Sequence, residues 1–322
     1  MKTSTSKRLR WNVAIWLATG LFMKSTAGMA AGPIMPDPKA EARHQPQVEE
    51  TANGIPLVNI TAPSSGGVSR NEYETFNVPD KGAILNNSYT LSKTELAGYV
   101  QGNNNMAERP AKIIVNEVTG AGSTSMDGFL EVAGNRADVV IANPNGITVN
   151  GGGFINTGKA FLTTGKPVYD GEDHLQRFDI TGGDILIEGK GLGGKETGSL
   201  AILSRAVKIN AGIWAKDLHI TTGANTVDAK TLEASAIEGK GGRPAFALDT
   251  AAIGGMYAGR ITLVGTEKGL GVNNSGTWSA EDNLTLDWNG DLKNSGTIYS
   301  KGNTDLRASR LENDKTIAAE RN

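Results

Sequence analysis

Apolar residues in this chain recur two positions apart in short runs, and Gly, Asn or Asp closes most of them. Ile185-Leu186-Ile187, Val207-Lys208-Ile209, Leu218-His219-Ile220, Ile261-Thr262-Leu263 and Leu284-Thr285-Leu286 all follow this pattern. A two-residue period is that of a half-buried strand. Nowhere does a twelve-residue stretch carry the i, i+3, i+4, i+7 stripe of an amphipathic helix. The best helical candidate is Leu91 to Tyr99, where Ser92 and Glu95 have the spacing of a capping box. It reads as a short helix or turn at most, and more readily as a loop.

The runs also repeat. Asn274-Ser275-Gly276-Thr277 returns twenty residues later as Asn294-Ser295-Gly296-Thr297, and Asn313-Asp314-Lys315-Thr316 follows after nineteen more. In the same register Asn283 aligns with Asn303 and Leu286 with Leu306. A strand-only repeat of this length predicts a β-solenoid. Each coil has an inward apolar row that it cannot bury alone, and stacking coils ~4.8 Å apart buries that row against its neighbours. About 270 residues at 20–25 per coil predict roughly a dozen coils, a rod on the order of 55 Å long. An antiparallel sandwich would also have many short strands, but it favours tight hairpins at 8–12-residue spacing.

The chain begins differently. Lys2, Lys7, Arg8 and Arg10 precede the apolar run Trp11 to Met23, and Gly28-Met29-Ala30 then gives the small-x-small pattern of a signal-peptidase site. Residues 1–30 are therefore read as a signal peptide, with cleavage between Ala30 and Ala31. The apolar run falls short of the ~20 residues that a spanning helix needs. Removing residues 1–30 takes away five basic residues and no acidic ones, leaving 27 basic against 34 acidic and a net charge of −7. With no basic block, nucleic acid is excluded as an expected partner. Residues 31–52 read as a linker, because Pro33, Pro36, Pro38 and Pro46 stand among charges without an apolar period.

Composition narrows the chemistry. Glycine accounts for 42 of 322 residues, nearly twice the usual share of about 7%, which suits a fold with many tight corners. There is no cysteine, which rules out disulfides, a thiol nucleophile and Cys-based metal sites. The three histidines, His44, His174 and His219, are far apart in sequence, so no cofactor or metal site is expected. Gly189-Lys190-Gly191-Leu192-Gly193-Gly194 matches G-x-G-x-x-G in form, but no helical pattern follows to hold a phosphate, and Glu196 stands where a P-loop needs Ser or Thr. Gly182-Gly183-Asp184 does not recur in tandem as a calcium repeat would. Asp170, Glu172, Asp173, His174 and Arg177 form a dense ionisable cluster, read as a solvated loop rather than the paired carboxylates of a lyase or glycosidase. Trp214, Trp278 and Trp288 would make a sugar platform only if exposed on one face.

The most distinctive stretch runs from Asn86 to Lys166. It contains Asn86-Asn87-Ser88, Gln101-Gly102-Asn103, Ile114-Val115-Asn116-Glu117-Val118, Val132-Ala133-Gly134-Asn135, Asn143-Pro144-Asn145-Gly146-Ile147 and Gly153-Phe154-Ile155-Asn156-Thr157. With Val68-Ser69-Arg70-Asn71, Leu162 to Pro167 and Gly254 to Gly259, it resembles the two-partner secretion domain, also called the haemagglutination activity domain, over about residues 50–270. That domain opens filamentous haemagglutinins, large haemolysins and contact-dependent inhibition toxins. The further matches look most like the contact-dependent inhibition branch, the CdiA-type exoproteins.

The resemblance implies an all-β fold: a right-handed parallel β-helix with an N-terminal cap and small extra-helical strands. It implies a two-partner secretion domain over residues 53–270, followed by the first filamentous repeats over 271–322. It also implies a partner, a TpsB-type (CdiB-like) outer-membrane transporter whose POTRA domains read the chain in the periplasm. The chain would cross unfolded as a monomer, fold at the cell surface or in the medium, and nucleate the helix there. A target-cell receptor would be engaged through downstream regions. The second secretion motif maps onto Asn143, Pro144, Asn145, Gly146 and Ile147. The first maps onto Asn103, Asn104, Asn105 and Met106, where the family's proline is missing. Two cysteines that often follow the second motif are replaced by Val149 and Gly152.

Read from the residues alone, Pro144 fits the second position of a type I turn, Asn145 and Gly146 tolerate positive φ, and Asn143 can close an Asx turn. The repeat is still running at Asn322 with no capping segment, which leads to the expectation of a fragment or truncated form of a larger effector. The rival readings are a free-standing β-helix adhesin that binds glycans and, behind it, a polysaccharide lyase.

Overall fold

The computed structural model describes residues 32–106 and 109–321. The expected signal peptide and the Ala30/Ala31 cleavage point lie outside them. From Pro33 onward the chain forms one compact unit, a parallel β-helix.

Successive coils visit three faces in turn. The first face is a ladder of eight parallel strands running from Thr124–Met126 to Arg310–Asn313. The second runs through Phe129–Gly134, Gly152–Ile155 and Leu192–Gly194, and the third through Ile113–Val118, Ala137–Ala142, Thr157–Thr163 and Ser199–Ser204. The long strands Gly212–Thr222 and Gly255–Gly265 cross from the second face to the third without a break.

Each alternating run forms the strand its period predicts, and its apolar residues stack rung on rung. Leu200 pairs with Leu218, Leu218 with Ile261 and Ile261 with Leu284. Ile220, Leu263, Leu286 and Leu306 make the next row. All but Leu306 are buried. Trp278 and Trp288 lie in this core, where their indole N–H groups donate to Thr250 Oγ1 at 3.0 Å and to the Leu270 carbonyl at 2.8 Å.

The twenty-residue repeat also holds. Asn274 Nδ2 donates to Asn294 Oδ1 at 2.7 Å, and Asn294 Nδ2 donates to Asn313 Oδ1 at 2.7 Å. Asn283 accepts the backbone N–H of Asn303 at 2.9 Å. The strand before residue 270, Phe246–Thr250, pairs directly with the strand after it, Gly271–Asn274. The coils therefore continue across the boundary drawn there without interruption.

Two expectations are corrected. Residues 31–52 are not a linker over the part described. Ile34–Pro36 pairs antiparallel with the strand Val68–Phe76, and Gln47–Glu50 pairs antiparallel with Pro56–Asn59. The prolines sit where an end-closing segment needs few donors, and Ile34 and His44 supply its buried contacts. Leu91 to Tyr99 is neither helix nor loop. It is a hairpin of Ser92–Thr94 with Gly98–Val100. Its turn is held from outside, by the Glu131 carboxylate accepting the N–H groups of Glu95 and Leu96 at 2.7 and 2.9 Å, while Ser92 bonds Ser88 instead of capping.

That hairpin covers the outer side of the second face, over Ile84 and Ala133. A four-stranded antiparallel sheet, built from Lys166–Tyr169, Leu175–Ile180, Asn225–Asp228 and Ala234–Ala236, covers the third face. Phe178, Ile180 and Val227 pack there on Val140, Phe161 and Ala201. These excursions take up residues that would otherwise form coils, so the first face has eight rungs rather than a dozen.

Candidate functional site

The two expected motifs form the same turn in two places. In the second, Asn143 Oδ1 accepts the backbone N–H of Asn145 at 2.9 Å, and its carbonyl accepts the N–H of Gly146 at 3.1 Å. In the first, Asn103 Oδ1 accepts the N–H of Asn105 at 2.9 Å, and its carbonyl accepts the N–H of Met106 at 3.1 Å. Each is an Asx turn nested in a four-residue turn. Asn104 stands where the other motif has Pro144, and the turn closes without a proline. Ile147 and Met106 then enter the core.

The side-chain amides of both motifs reach back to the chain preceding each turn. Asn143 Nδ2 donates to the Gly122 carbonyl at 2.9 Å and to Thr124 Oγ1 at 3.0 Å, while Asn145 Nδ2 donates to the Gly120 carbonyl at 2.8 Å. Asn103 Nδ2 donates to the carbonyls of Ile60 and Asn86, both at 2.9 Å, and Asn105 Nδ2 reaches the same Ile60 carbonyl at 3.1 Å. In each motif the first Asn is buried, and its amide is spent inside the fold. Of the two positions expected to tolerate positive φ, only Gly146 has it, at 111°.

The sequence reading singled out the asparagines around these turns as carriers of the resemblance but assigned them no structural role. Asn86 Nδ2 donates to Asn59 Oδ1 at 2.8 Å and to the Gln101 carbonyl at 2.9 Å, at the start of the first motif's segment. Asn87 holds the other end, accepting the N–H of Ala111 at 2.7 Å and donating to its carbonyl at 2.9 Å. Asn71 and Asn116 bond the carbonyls of Val115 and Val140 on the third face. The signal was the Asn-Asn pair itself, because adjacent strand residues point to opposite sides and can grip two segments at once.

The places of the missing cysteines hold a packing contact. A Cβ on Gly152 would lie 3.0 Å from Val149 Cγ1 and from Met126 Cβ, so buried hydrocarbon fills the space.

The near-misses resolve geometrically. Gly189 to Gly194 is a corner leading into the strand Leu192–Gly194, with no helix after it. Trp214 is partly exposed and stacks on Tyr257, with ring centroids 6.1 Å apart and planes 16° apart. It lies away from the buried Trp278 and Trp288, so the three tryptophans do not share one face. The ionisable cluster is not merely a solvated loop. Asp170 does serve its own loop, accepting the backbone N–H groups of Glu172 and His174. Asp173, however, turns inward to Arg43 and His44 of the N-terminal cap. Among the described residues, no group of three or more His, Cys, Asp or Glu side chains is placed to hold a metal ion.

Comparison with known proteins agrees with this geometry. The family profile of the TPS secretion domain matches residues 33–298. The chain is similar to "Toxin CdiA" of Yersinia pestis, 43% identical over 298 residues, which is 85% of this chain and 9% of that protein. It is 44% identical to "16S rRNA endonuclease CdiA" of Enterobacter cloacae subsp. cloacae, over 80% of this chain and 8% of that protein. Among solved structures it resembles the filamentous hemagglutinin secretion domain, with a TM-score of 0.75 and 31% identity, covering 90% of this chain and all of the other. The chain thus spans less than a tenth of the length of the curated relatives it matches. Turn geometry, coil architecture and sequence similarity lead to one conclusion: this chain belongs to the TPS secretion-domain family.

Proposed function

We propose that this domain is the export address and folding seed of a CdiA-type exoprotein. A CdiB-like outer-membrane transporter reads it in the periplasm through POTRA domains while the chain is unfolded. The domain then folds at the cell surface into the first coils, on which the rest of the protein stacks. The 16S rRNA endonuclease activity for which the Enterobacter cloacae relative is named is that of a whole protein more than ten times the length of this match. In this reading such an activity belongs, like any target-cell receptor contact, to regions beyond this domain.

The observation that carries the proposal is the burial of Asn103 and Asn143. Their amides are consumed inside the fold, so a transporter meets these groups only in a chain that has not yet closed its turns. The motifs act first as folding corners, and recognition precedes them in time.

A secretion assay tests this. The chain is expressed with and without the cognate transporter, and medium is compared with periplasm. Release that requires the transporter supports the proposal. Release without it, or none with it, overturns it. A glycan-binding reading rests on the half-exposed Trp214–Tyr257 stack, and a glycan array probed with the purified chain tests that separately.

A further inference from the structure

Three cations from separate parts of the chain line one cleft. Arg109 and Lys112 lie in the segment that leads into the strand Ile113–Val118, and Arg136 lies at the corner between Phe129–Gly134 and Ala137–Ala142. With the turn that precedes Val68–Phe76, they surround a cavity of about 470 Å³ whose apolar lining is Pro63, Pro110 and Ala111. Among the described residues, no carboxylate lines it. The sequence shows no basic block here, because the fold alone brings these charges together.

The walls of the cleft are clamped to one another. Asn87 Oδ1 accepts the Ala111 N–H at 2.7 Å, and its Nδ2 donates to the carbonyls of Ala111 and Asn135, both at 2.9 Å. These bonds tie the Arg109–Lys112 segment to the corner. The N–H groups of Lys112 and Ile113 donate to the Gly67 carbonyl at 2.8 and 3.1 Å, which ties that segment to the turn.

The cations are held as well. A Cβ on Gly67 would lie 3.0 Å from Lys112 Cγ and 3.1 Å from its Cδ, so the lysine stem runs along that glycine. Arg136 Nη2 donates to the Thr157 carbonyl at 2.7 Å, and the rest of its fork remains for another acceptor. Two neighbouring carboxylates are engaged outside the cleft. Asp138 Oδ1 accepts the Lys159 N–H at 2.7 Å, and Glu172 Oε2 accepts the Ser65 hydroxyl at 3.3 Å. Desolvated or paired carboxylates would cancel the cations, and none enters the cavity.

We propose that this cleft binds a phosphate monoester together with the polyol that carries the ester. Two guanidinium groups and an ammonium match the charge of a dianion, and the guanidinium forks match its oxygens. The two prolines and Ala111 take the hydrocarbon of the carrier. A soluble phosphate ester and the headgroup of a phosphorylated lipid share this chemistry. The clamped walls leave little to be ordered on binding. Because the coils assemble the cleft, it exists only in the folded chain and is independent of a transporter's reading of the unfolded one.

Titration calorimetry on the purified folded chain tests this with inorganic phosphate and glycerol phosphate. Sedimentation with phosphatidylcholine vesicles that carry or lack phosphatidic acid separates the two sources. Glycerol phosphate should bind saturably at one site. Retention by phosphatidic acid vesicles alone then assigns the site to a lipid headgroup, and no retention assigns it to a soluble ester. R109Q and K112Q, both at exposed side chains, should each weaken glycerol phosphate binding about tenfold. K216Q, an equal loss of charge on the strand Gly212–Thr222, should leave it unchanged. No binding of glycerol phosphate, binding of inorganic phosphate as an adventitious ion only, or an equal loss in K216Q overturns the proposal.

Discussion

Asn143 Oδ1 accepts the backbone N–H of Asn145 at 2.9 Å, closing a turn whose side-chain amide is bonded to Gly122 and Thr124. N143A removes all three bonds at a fully buried position. Leaving buried partners unsatisfied costs about 1–3 kcal/mol. Urea unfolding should show a loss in the upper half of that range for N143A, and a similar loss for N103A at the equivalent turn.

The two following positions of the motif should behave differently from each other. Gly146 has φ 111°, a conformation that costs a β-branched residue about 1–3 kcal/mol. Asn145 has no such requirement, and its amide reaches Gly120 at an exposed site. G146V should therefore lower both stability and transporter-dependent release. N145T should lower stability by only about 1 kcal/mol. If N145T nevertheless abolishes release while its urea curve stays near wild type, the transporter reads Asn145 directly.

Asn294 is the middle rung of the asparagine ladder, bonded to Asn274 below and Asn313 above. N294L fits the space but strands both neighbours, at a cost of about 2–3 kcal/mol. Limited proteolysis should then cut the coils after Asn274 before any others, whereas the wild type should resist there.

Arg205 is buried and donates to both Glu267 oxygens at 2.9 and 3.0 Å, and to the Lys240 carbonyl at 2.7 Å. It ties the excursion over residues 223–245 to the rod. These bonds hold the Glu267 carboxyl below its ordinary value. That stabilisation is present above the unfolded pKa and is lost as pH falls through the folded one. R205A should cost about 3 kcal/mol, and its deficit relative to wild type should shrink in acid below the ordinary glutamate range.

Burial lowers the His219 pKa to about 4. Its ring should be neutral at pH 7, and NMR should show it titrating near that value. An unfolded chain takes up this proton nearer 6.5, so stability falls as pH drops between about 6.5 and 4. H219Q should remove that part of the acid sensitivity.

The sequence makes the coils legible because their signal is local and periodic. Leu284-Thr285-Leu286 states its own strand, and the recurrence of Asn274 at Asn294 states the stacking. The motif turn at Asn143 is legible for the same reason, since its bonds span two or three residues. What the sequence conceals depends on distant partners. Ser92 and Glu95 suggest a helix cap until Glu131, thirty-six residues away from Glu95, takes that turn's N–H groups. The prolines from Pro33 to Pro46 suggest a linker until the strand Val68–Phe76 is there to pair with Ile34–Pro36. Asp173 looks solvated until the cap arrives against it.

That last contact joins residues 130 apart in the chain, Arg43 and Asp173, whereas a rung such as Asn274 to Asn294 joins residues 20 apart. Contact order therefore takes two values in one molecule. A chain emerging N-terminus first can complete each coil as soon as the next twenty or so residues appear, and its cap can pair early with Pro56–Asn59 and Val68–Phe76. The Arg43–Asp173 contact must wait for the strands Lys166–Tyr169 and Leu175–Ile180 on either side of Asp173, so its closure reports that the coils between have already been laid down.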